Sequence, residues 1–223
     1  MIMRTSSLLV ALGVVALSAA RVSAQTCVGA AAFSSGPVRL GAGLATSDGA
    51  KSYGVTMAAG AKTGPFASGG LSRIEYSDLD GSGTVVGLGA GYAIDVNPTK
   101  TVQFCPLAGF RYQSGPDIDL GGSTLSMSAH AVSLGGSLGG SVPMTPTLDF
   151  VPFAGASYIA SRATGTLDGT SDSESQSYGE IDVGAGFVIN KTLTLQPSVA
   201  IPVGVDGAKS AFQLAFAFNF GKH

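Results

Sequence analysis

Phe212-Gln213-Leu214-Ala215-Phe216-Ala217-Phe218-Asn219-Phe220 is the stretch whose reading decides the fold. Phe212, Leu214, Phe216, Phe218 and Phe220 fall on one side of a period of two, and Gln213, Ala215, Ala217 and Asn219 on the other. A period of two belongs to a strand, because successive side chains point to opposite faces of a sheet. A face carrying four phenylalanines must be covered. In a soluble protein a second layer would cover it; in a closed membrane barrel, lipid does so while small and polar residues turn to the lumen.

The same alternation runs back through the chain. Val38, Leu40, Ala42 and Leu44 oppose Arg39, Gly41, Gly43 and Ala45, and Tyr53, Val55, Met57, Ala59 and Ala61 form the next apolar face. Val86, Leu88, Ala90, Tyr92 and Ile94 oppose Gly87, Gly89 and Gly91; Ile181, Val183, Ala185, Phe187 and Ile189 oppose Glu180, Asp182, Gly184 and Gly186. The pattern predicts strands near 38–46, 52–61, 66–76, 84–94, 101–114, 124–143, 147–163, 177–190, 192–203 and 210–221. The third alternates poorly. The sixth changes phase near Ala131, where a β-bulge is expected.

A hairpin-length repeat supports this count. Val102-Gln-Phe104-Cys-Pro106-Leu-Ala108-Gly109 matches Leu148-Asp-Phe150-Val-Pro152-Phe-Ala154-Gly155, and Leu88-Gly-Ala-Gly-Tyr92 matches Val183-Gly-Ala-Gly-Phe187. The expected fold is therefore all-β: an antiparallel, up-and-down transmembrane β-barrel of about ten strands, with eight as the alternative count. A soluble sandwich or lipocalin-like barrel is the competing reading.

Composition agrees with a membrane barrel. Only 12% of the 223 residues are charged and 33 are glycine, yet beyond residue 24 there is no apolar run of the ~18 residues that a spanning helix needs. Lipid offers no partner to unpaired backbone groups, so strands can cross it only as a closed barrel. Residues 1–24 read as a cleavable signal peptide, with Arg4, an apolar stretch from Leu8 to Ala19, and Val22-Ser23-Ala24 before Gln25. The chain would thus be a secreted precursor with a periplasmic segment over 25–37 and a barrel over 38–221. Export leads to an oxidising compartment, where Cys27 and Cys105, both near the periplasmic rim, are expected to form a disulfide.

The ascending Pro-x-Ala-Gly strands, the descending Gly-Ala-Gly-aromatic strands and the aromatic last strand resemble the small outer-membrane-protein-A-like barrels of bacteria. The resemblance covers roughly residues 38–221 and implies residence in the cell outer membrane, contact with its lipid and lipopolysaccharide, and insertion by the barrel assembly machinery. Many such barrels end on an aromatic residue. This chain ends Phe220-Gly221-Lys222-His223, which makes Phe220 the expected assembly signal.

Short turns at Lys62 to Pro65, Asp95 to Lys100, Met144 to Pro146 and Asn190-Lys191 would be periplasmic, and longer loops external. An inward polar cluster is expected from Arg39, Arg111, Glu180 and Asp182, joined by Arg73 and Glu75 if the third strand keeps its phase. Opposite charges in a dry lumen must pair. The Asp78-Leu-Asp80-Gly-Ser-Gly fragment lacks the later glutamate of a calcium loop, so no metal and no cofactor is expected. A catalytic role would have to draw on His130 with Ser126, Ser128 or Ser133, and no carboxylate is placed to orient the ring. The expectation is a monomeric, non-enzymatic envelope or surface-interaction protein that binds no nucleic acid, with the loop from Gly165 to Gln176 as contact surface. The alternative is a narrow pore or small-solute carrier, and a lipid-modifying barrel enzyme is a weaker third.

Overall fold

The computed structural model describes residues 37–77, 81–119, 121–205 and 207–220. The signal segment, most of the 25–37 segment, Cys27, Asp78, Asp80 and Asp206 lie outside them. The strands are β1 (Val38–Ser47), β2 (Ala50–Gly60), β3 (Gly64–Tyr76), β4 (Ser82–Asp95), β5 (Val102–Asp119), β6 (Thr124–Gly140), β7 (Val142–Thr145), β8 (Leu148–Leu167), β9 (Thr170–Ile189), β10 (Leu193–Val203) and β11 (Ala211–Phe220). Every pairing is antiparallel, and β1 pairs with β11 from Val38↔Phe220 to Thr46↔Phe212, which closes the sheet. The closure joins like faces. Leu40 meets Phe218 and Ala42 meets Phe216, so the apolar outer face continues across the seam while Arg39 and Asn219 face each other inside.

β6 and β7 both pair with β8, one above the other, and are parted at Ser141. The Ser141 N–H donates to the Thr101 carbonyl at 2.7 Å, and Pro143 has no N–H to continue the ladder. The two pieces form one stave. The barrel therefore has ten staves, and an even number brings both ends of the sheet to the same rim.

Three expectations are corrected. The first concerns β3, where cross-strand partners share a face. Tyr53 points outward and pairs with Arg73, and Ile74 is buried inward against Ala50 and Val85. Arg73 and Glu75 therefore stand on the outer wall, with side chains 58% and 51% exposed, and do not belong to the lumen. The second concerns the bulge. β6 runs against β8 without a break from Leu125↔Leu167 to Gly139↔Phe153; the register shift lies in β5 between Ser114 and Asp117, where Gly115-Pro116 inserts one extra residue. A proline suits a bulge because its missing N–H is not called on there.

The third concerns the stretch from Gly165 to Gln176, which is not a loop. β8 and β9 stay paired to Leu167↔Thr170, and only Asp168-Gly169 turns the chain, with φ of 48° and 83°. Two positive φ values in a two-residue turn match the right-handed twist of the hairpin. Loop length hence does not separate the two rims. What separates them is strand overhang: β10 leaves β9 at Val203↔Gly179, so residues 170–178 of β9 run on for roughly 30 Å at ~3.3 Å per residue.

Candidate functional site

Two places in this frame gather polar side chains: the lumen and the overhanging strands. Inside, alternation along β1, β9, β10 and β11 buries Arg39, Glu180, Asp182, Thr194, Gln196, Gln213 and Asn219. Arg39 Nη2 donates to Gln196 Oε1 at 3.4 Å across adjacent regions of the wall. Near the periplasmic rim Gln103 Nε2 donates to the Lys62 carbonyl at 2.8 Å and to Asp95 Oδ1 at 2.9 Å. Near the opposite rim Gln113 Nε2 donates to the Tyr76 hydroxyl at 2.6 Å. The structure thus brings Arg39, Glu180 and Asp182 into the interior, and neutral amides supply much of the hydrogen bonding. Sequence reading named the charges and passed over Gln103, Gln113 and Gln196, although their even spacing from Cys105, Arg111 and Thr194 carried the signal.

Arg111 is half-buried and lines a cavity of about 110 Å³ formed by β3, β4, β5, β6 and β8. The wall here is built of Gly70, Gly87, Gly89 and Gly109 with Ser68 and Ser133, and the space exists because these residues project little or nothing inward. It suits a few waters, each ~30 Å³ in the liquid, and is smaller than the ~300 Å³ at which pockets for organic ligands begin.

His130 is on the outer wall, paired between Tyr112 and Arg162, whereas Ser133 lines the interior cavity. The two lie on opposite faces, because the bulge that could have brought them together is on β5. Among the described residues no three His, Cys, Asp or Glu side chains are grouped to hold a metal ion.

Outside, β5, β6, β8 and β9 form a four-stranded sheet that outlasts its neighbours. β4 leaves β5 at Thr84↔Ser114, while β5 and β6 continue to Asp119↔Thr124. Tyr178 and Ala163 join an apolar cluster at the base of the overhang, and above it hydroxyls and charges make the contacts: Arg162 Nε and Nη2 donate to Ser173 Oγ at 3.1 and 2.6 Å, and Thr166 Oγ1 lies 2.9 Å from Ser171 Oγ. The Thr124 N–H donates to Asp168 Oδ1 at 3.3 Å, tying one hairpin tip to the other. Ser171 to Ser175 are exposed on both faces of the hairpin, and Asp117, Asp119, Asp168, Asp172 and Glu174 are all exposed.

The sequence pattern of the outer membrane protein beta-barrel domain matches residues 7–220. The chain belongs to that family. As an outer membrane protein beta-barrel domain it resides in the bacterial outer membrane, and the ten-stave closure is the means of spanning it. Among solved structures it is similar to the translocator domain of the autotransporter NalP from Neisseria meningitidis, with a TM-score of 0.53, 15% identity and coverage of 82% of this chain and 87% of that one. It is also similar to the N-terminal β-barrel domain of OprF from Pseudomonas aeruginosa, with a TM-score of 0.40, 14% identity and coverage of 82% and 96%. Neisserial surface protein A gives a TM-score of 0.39, 12% identity and coverage of 82% and 97%. No curated protein matches the sequence. These likenesses concern the fold, and the role of the barrel must be argued from its own side chains.

Proposed function

We propose that this outer-membrane barrel acts at the cell surface, without catalysing a reaction, through the external sheet of β5, β6, β8 and β9. The observation that carries the reading is the overhang: a paired, solvent-exposed, acid-bearing sheet projecting from the barrel. Folding residues 170–178 into a ladder outside the membrane gains no lipid-covered apolar surface, so the extension serves contact with something beyond the barrel. Asp168, Asp172 and Glu174 at its tip fit a positively charged partner surface, which they would attract over about a Debye length of ~8 Å at physiological salt.

The test is retention of intact cells on a cationic surface. Replacing Asp168, Asp172 and Glu174 with Asn, Asn and Gln is expected to lower retention several-fold at low salt, with the barrel still present and folded. Equal retention of both strains would refute this reading. A second reading, a narrow passage for small ions, draws on Arg111 in the cavity. It requires Arg111→Gln or Asp182→Asn to change single-channel current, and unchanged currents would count against it. A lipid-modifying activity would require His130, which faces away from Ser133, and His130→Ala should leave lipopolysaccharide and phospholipid composition unchanged.

A further inference from the structure

The external sheet has two edges, and they are built differently. β5 forms one, where the register shift at Gly115-Pro116 interrupts the strand; a bulge and a proline are devices that keep an edge from pairing with another chain. β9 forms the other. Beyond Val203↔Gly179 no described strand lies along its outer side, and its register with β8 runs unbroken to Leu167↔Thr170. The segment Thr170-Ser-Asp-Ser-Glu-Ser-Gln-Ser-Tyr178 contains neither proline nor lysine.

One bond fixes which backbone groups of this edge are open. The Asn190 N–H donates to the Thr147 carbonyl, on the β8 side, at 2.7 Å. In an antiparallel ladder the N–H and C=O of one residue point to one side and those of the next residue to the other. Even-numbered residues of β9 therefore face β8, and odd-numbered residues face away from it. Above Gly179 the latter are Ser171, Ser173, Ser175 and Ser177, whose small side chains leave the edge accessible. The Ser173 N–H, with no strand opposite it, donates to Asp172 Oδ1 at 2.8 Å.

Charge selects what can lie there. Tyr178 is buried on the inner face, and alternation puts the exposed Asp172 and Glu174 on that same face beside the edge. A second copy of β9 would set carboxylate against carboxylate, which destabilises a cross-strand pair, whereas cations at alternate positions would set opposite charges together. We propose that the β9 edge takes up an extended polypeptide bearing Lys or Arg at every second residue, which pairs antiparallel with Ser171 to Ser177 and lengthens the external sheet by one strand. This rests on the surface-contact reading above and adds to it the manner of contact. The incoming strand replaces Asp172 at the Ser173 N–H, and the released carboxylate pairs with a cation of the ligand.

The experiment uses the mature full chain in a non-ionic detergent at low salt, with a labelled, end-blocked peptide of alternating Lys and Thr about as long as residues 171–177. With lysines opposite Asp172 and Glu174, the threonines stand opposite the serines and turn their N–H groups to β9. The peptide is expected to bind and to slow amide hydrogen exchange at Ser171, Ser173, Ser175 and Ser177. N-methylation of its threonines should weaken binding several-fold, and N-methylation of its lysines, whose N–H groups point away, should not. Ser175→Pro should weaken binding several-fold at unchanged charge, because a proline whose nitrogen faces solvent is tolerated on an edge strand; heat-modifiable migration reports that its barrel is closed. Equal binding of the two methylated peptides would overturn strand addition and leave a purely charge-driven contact standing. Failure of the unmethylated peptide to bind would overturn it as well, and retention of cells on the cationic surface then decides separately whether the acidic overhang makes contact at all.

Discussion

Arg73 separates two accounts of the third strand with one substitution. A buried charge that loses its partner costs about 3–5 kcal/mol, whereas an exposed ion pair contributes about 0–1 kcal/mol. Here Arg73 Nε lies 4.0 Å from Glu75 Oε1 on the outer wall, and the Tyr53 hydroxyl donates to the same oxygen at 3.0 Å. Arg73→Ala should therefore shift the urea midpoint of the folded barrel by no more than that ~1 kcal/mol implies; a loss of several kcal/mol would restore it to the lumen. The glycine beneath the luminal Phe66 ring predicts the opposite sensitivity. A Cβ at Gly91 would meet the Phe66 ring and stand 2.6 Å from the Pro106 carbonyl oxygen, while one at Gly140 would find nothing closer than 3.8 Å. Gly91→Ala is expected to destabilise the barrel by about 1–3 kcal/mol, the usual cost of overpacking, and Gly140→Ala to leave the denaturation midpoint within error.

At the scale of elements, strands were legible where their two faces differ in chemistry. β11 and β1 could be read residue by residue because lipid selects Phe and Leu on one side and the lumen selects Gly, Ala and Asn on the other. In β3 that contrast fails. Phe66 and Ile74 face inward while Leu71 faces out, so the apolar residues occur on both sides and only pairing with β2 fixes the phase. The overhang of β8 and β9 was illegible for a related reason: outside the membrane both faces meet water, and Thr164 to Ser177 offers no apolar alternation to read. Its ladder depends instead on a turn. Asp168 and Gly169 both adopt positive φ, a conformation that a β-branched side chain resists. Gly169→Val should loosen the hairpin tip, so that protease added to intact cells cuts between Leu167 and Asp172 faster than in the wild type, while the membrane-embedded core keeps its folded gel mobility. Equal cutting rates would show that the polar ladder holds without the turn.

For the whole molecule, closure is the property on which everything else depends. Ten staves joined from β1 to β11 leave no sheet edge, and within lipid an open edge would strand a row of N–H and C=O groups at several kcal/mol each. The seam Val38–Thr46 against Phe220–Phe212 is therefore the place where damage should be felt by every strand at once. Its apolar pairs Leu40↔Phe218 and Ala42↔Phe216 are exposed to lipid, so Phe216→Asp puts a charge on the lipid face, at a cost of up to a few kcal/mol that depends on depth. In a closed barrel, unboiled protein runs faster than boiled protein on a detergent gel, and the wild type should show that shift in material from the outer-membrane fraction. Phe216→Asp should show less of the fast band, whereas Asp172→Asn on the overhang should show as much as the wild type. A wild-type protein that fails to shift would remove the closed barrel itself, because no open sheet with this lipid-facing row of Phe and Leu could hold its strands through the extraction.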